Sequence, residues 1–233
     1  MKAVVQFDIP IELYDVEKPT IIKTTQDWVA KYSKHSFETY CKKYGHEYIL
    51  VTTPKVGYCH PTWERLDFWL DPSWFEKYDE ILYVDTDVYA LPTAPDIFEE
   101  SARLDCFKRI PYWKADNPQD PSSILYEVKD RFKEIAFQPG VFLLNKTVAQ
   151  ATAEYIKQYK DERFPDDGVL VNYAIAKSTV EIQNINQKFN VKLLDTHLSM
   201  KALPVFFFHA FGYLKIHKPK EVKNFLKNIY GEL

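Results

Sequence analysis

Apolar and polar positions along the chain follow two periodicities, one typical of buried strands and one typical of amphipathic helices. Short apolar runs bounded by turn residues predict strands, whereas apolar positions three and four residues apart predict helices. The first half alternates, with predicted strands at 3–7, 48–51 and 81–88 and predicted helices at 28–44 and 62–70. This alternation predicts the opening half of a Rossmann-like α/β fold.

The second half continues with shorter elements. Helices are predicted at 122–135, 148–159, 168–177 and 219–230, and strands at 141–144, 180–182, 191–194 and 205–208. The segment 112–122 is rich in Pro, Asn and Asp and contains Tyr112 and Trp113. It predicts either a plain surface excursion or a loop that covers a ligand site. We see no repeat or linker that divides the chain, so we expect one domain.

Composition and charge exclude several classes of protein. The net charge is −3 and no basic stripe is present, so the electrostatic footprint of a nucleic-acid binder is missing. The chain lacks both a secretory apolar region and the roughly 18 consecutive apolar residues of a transmembrane helix. Cys41, Cys59 and Cys106 do not have the spacing of a zinc site or a disulfide framework. We therefore expect a soluble cytoplasmic protein without a nucleic-acid partner or transmembrane segment.

Two aspartates follow the most apolar strand of the first half. Asp85 and Asp87 are two residues apart, and in an extended segment such residues project to the same side. Two carboxylates at the carboxyl end of a strand can bind a hard divalent cation in the crevice where open α/β sheets bind ligands. Asp8 ends the first strand and would face the same crevice. A simple aspartate-rich turn explains the pair equally well at this stage.

The last apolar run, at 205–208, leads into a second group of candidate residues. His209 can add a nitrogen ligand to a cation held by Asp85 and Asp87, and such a mixed set suits Mn²⁺ better than Ca²⁺. Gly212 allows backbone N–H groups to approach a phosphate closely, and Lys215 supplies a positive charge for the same group. Taken alone, His209 also fits a hydrogen-bonded core histidine.

These motifs, in this order, resemble the metal-dependent glycosyltransferases of the GT-A fold, especially the branch with glycogenin and the bacterial lipooligosaccharide galactosyltransferases. Residues 81–88 are similar to the Asp-x-Asp strand of that family, and residues 137–145 to its Phe-Asn-x-Gly-Val-x-Leu-x-Asn segment. Residues 167–172 are similar to its Asp-Gln-x-x-Leu-Asn element, and residues 209–215 to its His-x-x-Gly-x-x-Lys motif. Transferase domains of algal viruses have a similar size.

The resemblance implies a single-domain, Rossmann-like GT-A fold of the α/β class, with a mixed central sheet flanked by helices. Residues 1–110 would form the nucleotide-binding half and residues 111–233 the acceptor half. The activity it implies is a hexosyl transfer from a UDP-sugar to an acceptor hydroxyl of a carbohydrate, dependent on Mn²⁺ or Mg²⁺. Retention of configuration is the outcome we expect first.

The resemblance also implies roles for individual residues. The metal ligands would be Asp85, Asp87 and His209, and the other donor-binding residues would be Phe7, Asp8, Arg65, Gly212 and Lys215. The catalytic residues would be Gln138, Asp166 and Asp167. Gln138 stands where the family usually has Asn, and Asp166 and Asp167 stand near its Asp-Gln pair. If the reaction inverts configuration, Asp166 or Asp167 would be the general base.

Three other readings of the sequence remain open. A phosphatase of the haloacid dehalogenase type would use Asp85 as its nucleophile, but its motif would lie on the first strand, and here two predicted strands precede it. A nucleotidyltransferase would need a glycine-rich loop, and the chain has 6 Gly in all. A sugar-nucleotide-binding domain without turnover would bind its ligand and release no product.

Overall fold

A six-stranded mixed sheet forms the centre of the fold. The computed structural model describes residues 1–14, 27–100, 103, 105–111, 122–192, 205–210 and 219–233. In spatial order the strands are β2 (Glu47–Val51), β1 (Lys2–Phe7), β3 (Glu80–Val84), β6 (Phe137–Asn145), β5 (Cys106–Pro111) and β7 (Glu181–Asn184). Strand β6 is antiparallel to both of its neighbours, and the other pairs are parallel. The mixed α/β sheet expected from the sequence is therefore confirmed.

A second, smaller sheet of three strands is joined to the central sheet by the short segment that follows β3. Its order is β4 (Val88–Ala90), β9 (Phe207–His209) and β8 (Val191–Lys192). Strands β4 and β9 are antiparallel, with Val88 opposite His209. Because β4 begins four residues after β3 ends, the Asp-x-Asp segment connects the two sheets.

The helices flank these sheets. They are α1 (Asp27–Tyr44), α2 (Asp67–Leu70), α3 (Trp74–Lys77), α4 (Lys129–Ile135), α5 (Lys146–Ile156), α6 (Asp167–Lys177) and α7 (Pro219–Tyr230). Short 3-10 helices occur at Ile11–Leu13, Pro61–Leu66, Ile97–Glu99, Ile124–Val128 and Gln187–Asn190. Among the described residues, none of the helices has the length and apolar character needed to cross a bilayer.

Strand β3 shows why the sequence around it is so apolar. All five of its residues are buried. Because side chains alternate along a strand, Ile81 and Tyr83 pack into the apolar cluster on one face of the sheet, and Leu82 and Val84 pack into the cluster on the other. A strand covered on both faces needs an uninterrupted apolar run, which is what the sequence shows.

The predicted strand 81–88 is wrong at its carboxyl end. Regular pairing stops at Val84, and a turn closed by the Val88 N–H, which donates to the Asp85 carbonyl at 3.1 Å, follows. Asp85 and Asp87 therefore converge through a turn and not through extended backbone. The predicted helices 62–70 and 122–135 also differ, since each begins as a 3-10 helix and becomes α-helical later.

Strand β6 is longer than the predicted strand 141–144, because Gln138, Pro139 and Gly140 belong to it. Pro111 pairs with Phe137, and the next paired residues are Arg109 and Phe142, so β6 bulges away from β5 between these points. A bulge accommodates Pro139, which has no N–H to donate. The bulge also turns this stretch of β6 toward the Asp-x-Asp turn, where the Asp85 N–H donates to the Gly140 carbonyl at 2.9 Å.

Some predicted features fall outside the described residues. These are residues 112–121 of the predicted loop, the second half of the predicted strand at 191–194, Gly212 and Lys215. The roles of Gly212 and Lys215 stay predictions.

Candidate metal and sugar-transfer site

Asp85, Asp87 and His209 meet at the junction of the two sheets. Asp85 follows β3, Asp87 precedes β4, and His209 ends β9. One ligand atom from each lies within 4.8 Å of the others. The His209 Nε2 atom is 3.2 Å from Asp87 Oδ1. The structure thus brings together the three side chains predicted to bind a metal ion. The name metal cluster refers below to these three side chains, Asp85, Asp87 and His209.

The Asp85 carboxylate is held in a defined orientation. Its Oδ1 atom accepts a hydrogen bond from the Tyr83 hydroxyl and lies 3.5 Å from Arg65 Nη2. Its Oδ2 atom faces Gly140, where a Cβ atom would come within 2.7 Å of Oδ2 and 2.6 Å of His209 Cε1. Because a side chain at position 140 would collide with both groups, only glycine leaves room for a ligand there.

His209 is buried, with 1% of its surface exposed, and its ring is oriented by Asn190. The Asn190 Oδ1 atom lies 2.8 Å from His209 Nδ1. With the Asn190 amide oxygen on the Nδ1 side of the ring, Nε2 is the nitrogen that faces Asp87. Histidine ligands of metal ions commonly donate their other N–H to an oxygen in this way. Two carboxylates and this nitrogen fit Mn²⁺, and Mg²⁺ less well.

Arg65 connects the metal cluster to helix α6. Its buried Nε atom lies 2.6 Å from Asp167 Oδ2 and donates to the Thr62 carbonyl, and its Nη1 atom donates to the Pro139 carbonyl. The guanidinium also lies 4.7 Å from the centre of the Tyr83 ring. Burial disfavours the charged guanidinium, but Asp167 and the neighbouring acidic groups raise the Arg65 pKa. Burial raises the pKa of the Asp167 carboxyl, and Arg65 opposes this shift.

Asp166 and Asp167, the two adjacent aspartates at the start of α6, have different surroundings. Asp166 is the N-cap, and its Oδ1 atom accepts from the Val169 N–H at 2.7 Å. Further along α6, Asn172 accepts from the Phe137 N–H at 3.0 Å and donates to the Phe137 carbonyl at 3.1 Å. These two bonds fix the start of β6 against α6, and thereby the position of Gln138.

A cavity of about 730 Å³ lies beside the metal cluster. It is lined by the three residues predicted to be catalytic, Gln138, Asp166 and Asp167. Pro139 also lines the cavity, and the next residue, Gly140, contacts the metal cluster. The bulged part of β6 therefore borders both the cavity and the metal cluster.

Two residues predicted to bind the nucleotide have different surroundings. Asp8 directly follows β1, which pairs in parallel with β3, so Asp8 and Asp85 both lie at the carboxyl ends of neighbouring strands. Burial raises the Asp8 pKa, and Lys34 opposes this shift. The ring of Phe7 packs in the core, 5.4 Å from the ring of Phe68. Phe7 thus contributes its side chain to the core at this position.

Sequence reasoning missed several residues around the metal cluster. Gln6 is buried, donates to the Asp85 carbonyl at 3.0 Å and accepts from the Tyr48 hydroxyl. Its signal was present, because a single amide interrupts an otherwise apolar strand. Tyr83 and Asn190 had no such signal, since tyrosine is common in strands and Asn190 is 19 residues from His209.

Comparisons with known proteins concern the fold. No family model and no curated protein matches the chain. A glycosyltransferase involved in the glycosylation of the major capsid of PBCV-1 aligns with a TM-score of 0.61 at 10% identity, over 98% of this chain and 99% of that one. The galactosyltransferase LgtC, in complex with donor and acceptor sugar analogues, aligns at 0.53 and 13% identity, over 100% and 98%.

A third structure is the glycosyltransferase GlyE of Streptococcus pneumoniae TIGR4. It aligns with a TM-score of 0.51 at 13% identity, over 91% of this chain and 55% of that one. The three structures agree with the architecture described above and with the resemblance drawn from the motifs. In its fold, this chain is similar to glycosyltransferases.

Proposed function

We propose that this protein is a metal-dependent glycosyltransferase that moves a sugar from a UDP-sugar to a carbohydrate hydroxyl. The observation that carries the proposal is the convergence of Asp85, Asp87 and His209 at the edge of a sheet. The similarity in fold to glycosyltransferases supports the same proposal. An aspartate-rich turn alone accounts for two of these groups, whereas the third possible ligand, the buried His209 Nε2, comes from a strand more than 100 residues later in the chain.

The charge balance of the reaction explains why such a site would be needed. Cleavage of the bond between the sugar and the diphosphate leaves negative charge on the departing UDP. A divalent cation, when bound, would stabilise that charge as a Lewis acid. Asp85 Oδ2, an Asp87 oxygen and His209 Nε2 would hold it. Tyr83 and Arg65 hold Asp85 Oδ1, so the carboxylate keeps Oδ2 directed toward His209.

The cavity supplies space for the sugar and the acceptor. The acceptor oxygen forms a bond to the anomeric carbon while the bond from that carbon to the diphosphate oxygen breaks, and UDP leaves with the electron pair. We assign Gln138 and Asp167 to orientation of the donor sugar. Retention remains our expectation, with the acceptor proton passing to the departing phosphate. If configuration inverts, Asp166 or Asp167, both of which line the cavity, would accept that proton.

The phosphatase alternative fits the surroundings of Asp85 less well. A nucleophilic carboxylate must present a free oxygen to phosphorus, and Asp85 Oδ1 is already bonded to Tyr83 and lies 3.5 Å from Arg65 Nη2. Only Oδ2 is left, and it cannot serve both a cation and phosphorus. In addition, β3 is the third strand along the chain, whereas the phosphatase motif would follow the first.

The test is UDP release from a panel of UDP-sugars, with Mn²⁺ and then with excess chelator. We expect slow, Mn²⁺-dependent hydrolysis of one member of the panel. Asp87→Asn should weaken Mn²⁺ binding by more than about 100-fold, because it removes a ligand and not merely an outer partner of one. Electron paramagnetic resonance of free Mn²⁺ measures this binding without turnover.

Asp79→Asn is the matched control, because Asp79 is exposed and lies at the opposite end of β3. It should leave Mn²⁺ binding and UDP release unchanged. A panel without metal-dependent UDP release, together with equal Mn²⁺ binding by wild type and Asp87→Asn, would refute the proposal. Binding that depends on Asp87 without any release would instead favour the non-catalytic binding domain.

A further inference from the structure

The cavity has two chemically different parts. Near the β6 bulge it presents the polar side chains Gln138, Asp166 and Asp167. Much of the remaining wall is apolar, and its largest members are Trp63, Leu125, Phe132, Phe137 and Val169. The polar part is the side of the cavity nearer to the metal cluster, since Arg65 bridges Asp167 and Asp85, so the donor sugar would occupy it. The apolar part is then left for a second molecule.

Several polar atoms along the apolar part have partners within the protein. Both ends of the Asn172 amide bond to the Phe137 backbone, and its nitrogen also donates to the Gly168 carbonyl at 2.9 Å. The His60 Nδ1 atom interacts with Thr62. Burial lowers the His60 pKa, and the positive charge of Arg65 lowers it further, so both disfavour a charged ring beside this wall. A sugar hydroxyl that faces this wall would lose its hydrogen bonds to water and gain few hydrogen bonds to the protein.

The rim of this wall is held in place by Glu64. Its buried carboxylate accepts from the backbone N–H groups of Lys55, Val56 and Gly57, at 2.6 to 2.9 Å, and from the Tyr14 hydroxyl at 2.8 Å. Glu64 therefore fixes the loop that leads to Cys59 and His60. A rim fixed in this way indicates a preformed binding surface, which costs little ordering entropy when a ligand binds.

We propose that the apolar part of the cavity is the acceptor subsite and selects a glycoside with an apolar edge. That edge is either the methyl group of a 6-deoxyhexose or an apolar aglycone. The inference rests on the proposed transferase function and adds the chemical class of its acceptor. The selection follows from desolvation, because an unpaired hydroxyl buried against Trp63, Leu125 and Phe132 weakens binding, whereas a methyl group does not.

The test compares three glycosides that differ at one position each. Saturation-transfer NMR, with UDP and Mn²⁺ present, measures binding of methyl β-D-galactopyranoside, its 6-deoxy counterpart methyl β-D-fucopyranoside, and octyl β-D-galactopyranoside. We expect one of the last two to bind about fivefold or more tightly than the first, the minimum effect of an unpaired buried hydroxyl. A tighter fucoside identifies a deoxysugar edge, and a tighter octyl glycoside identifies an aglycone. Equal binding, or tightest binding of the parent galactoside, overturns the inference.

Two matched side-chain truncations test whether the apolar wall causes the preference among the glycosides. Leu125→Ala removes part of the cavity wall and should reduce the preference at least severalfold. Ile229→Ala removes a similar side chain from α7, away from the cavity, and should preserve it. Thermal denaturation verifies that both variants fold. UDP release without any glycoside tests the transferase separately: its absence refutes the proposed function, whereas release without a glycoside preference refutes only the acceptor inference.

Discussion

At the scale of single residues, the metal cluster depends on side chains that orient the ligands. Asn190 contacts His209 Nδ1 at 2.8 Å, and Tyr83 donates to Asp85 Oδ1. Without Asn190, the imidazole proton of His209 can move from Nδ1 to Nε2, and a protonated Nε2 cannot bind a metal ion. Asn190 is therefore a positioning residue.

We predict that Asn190→Ala weakens Mn²⁺ binding by about 10- to 100-fold, the usual effect of losing an outer partner of a metal ligand. Asn190→Asp retains an oxygen acceptor for Nδ1–H and should restore most of the affinity. Isothermal titration calorimetry measures both.

Asn186→Ala is the control, because Asn186 caps the same 3-10 helix by accepting from the Lys188 N–H at 3.0 Å. It should not alter Mn²⁺ binding. Equal weakening by Asn186→Ala and Asn190→Ala would show that only the integrity of the helix matters.

Residue type and spacing were enough to predict Asp85, Asp87 and His209 from the sequence. Their orientation was not predictable, because Asn190 and Arg65 reach the cluster through tertiary contacts between segments far apart in the chain. Sequence distance carries no signal for such contacts. Gly140 entered the sequence analysis only as part of the segment 137–145, because its close contacts with Asp85 and His209 are visible only in the structure.

At the scale of elements, the two aspartates at the start of helix α6 have different structural roles. Asp166 caps the helix, whereas Asp167 is buried and paired with Arg65. Aspartate and asparagine are about equally good caps, but alanine is a poor one. Substitutions at position 166 can therefore separate a structural role from a chemical one.

We predict that Asp166→Ala lowers the free energy of unfolding by about 0.5–2 kcal/mol, whereas Asp166→Asn leaves it almost unchanged. Urea denaturation measures both values. If Asp166 is a general base, Asp166→Asn should still lose transfer activity while its stability stays unchanged. Equal destabilisation by the two variants would show that the cap is not what Asp166 contributes.

Strand β5 is a strand of the central sheet that sequence analysis missed. It carries Lys108 and Arg109 in its interior, and charged residues conceal the apolar pattern of a buried strand. Both side chains have partners in the fold, since Lys108 Nζ lies 2.6 Å from the buried carboxylate of Glu80, and the Nη1 and Nη2 atoms of Arg109 donate to the carbonyls of Ala136 and Glu134. A strand of this kind becomes recognisable only when its partners are known.

At the scale of the whole molecule, the metal cluster connects two sheets. Asp85 follows the central sheet, whereas Asp87 and His209 belong to the ends of strands in the smaller sheet. A bound ion would therefore stabilise the folded state over any state in which the sheets separate.

We predict that Mn²⁺ at about 100 times its dissociation constant stabilises the protein by about 2.7 kcal/mol. For a chain of this size, this free energy raises the midpoint of thermal unfolding by roughly 5–10 °C. Differential scanning calorimetry measures the shift, which chelator should reverse and Asp87→Asn should abolish. A shift of the same size in Asp87→Asn would place the stabilising ion elsewhere.

The pairing of Val88 with His209 has one more consequence. Side chains on a strand alternate between the two faces of a sheet, so a slip of β9 by a single position would direct the imidazole to the opposite face. Insertions or deletions that shift β9 relative to β4 would then abolish metal affinity even when every ligand is still present. Mn²⁺ affinity can accordingly serve as a readout of strand alignment in engineered versions of this chain.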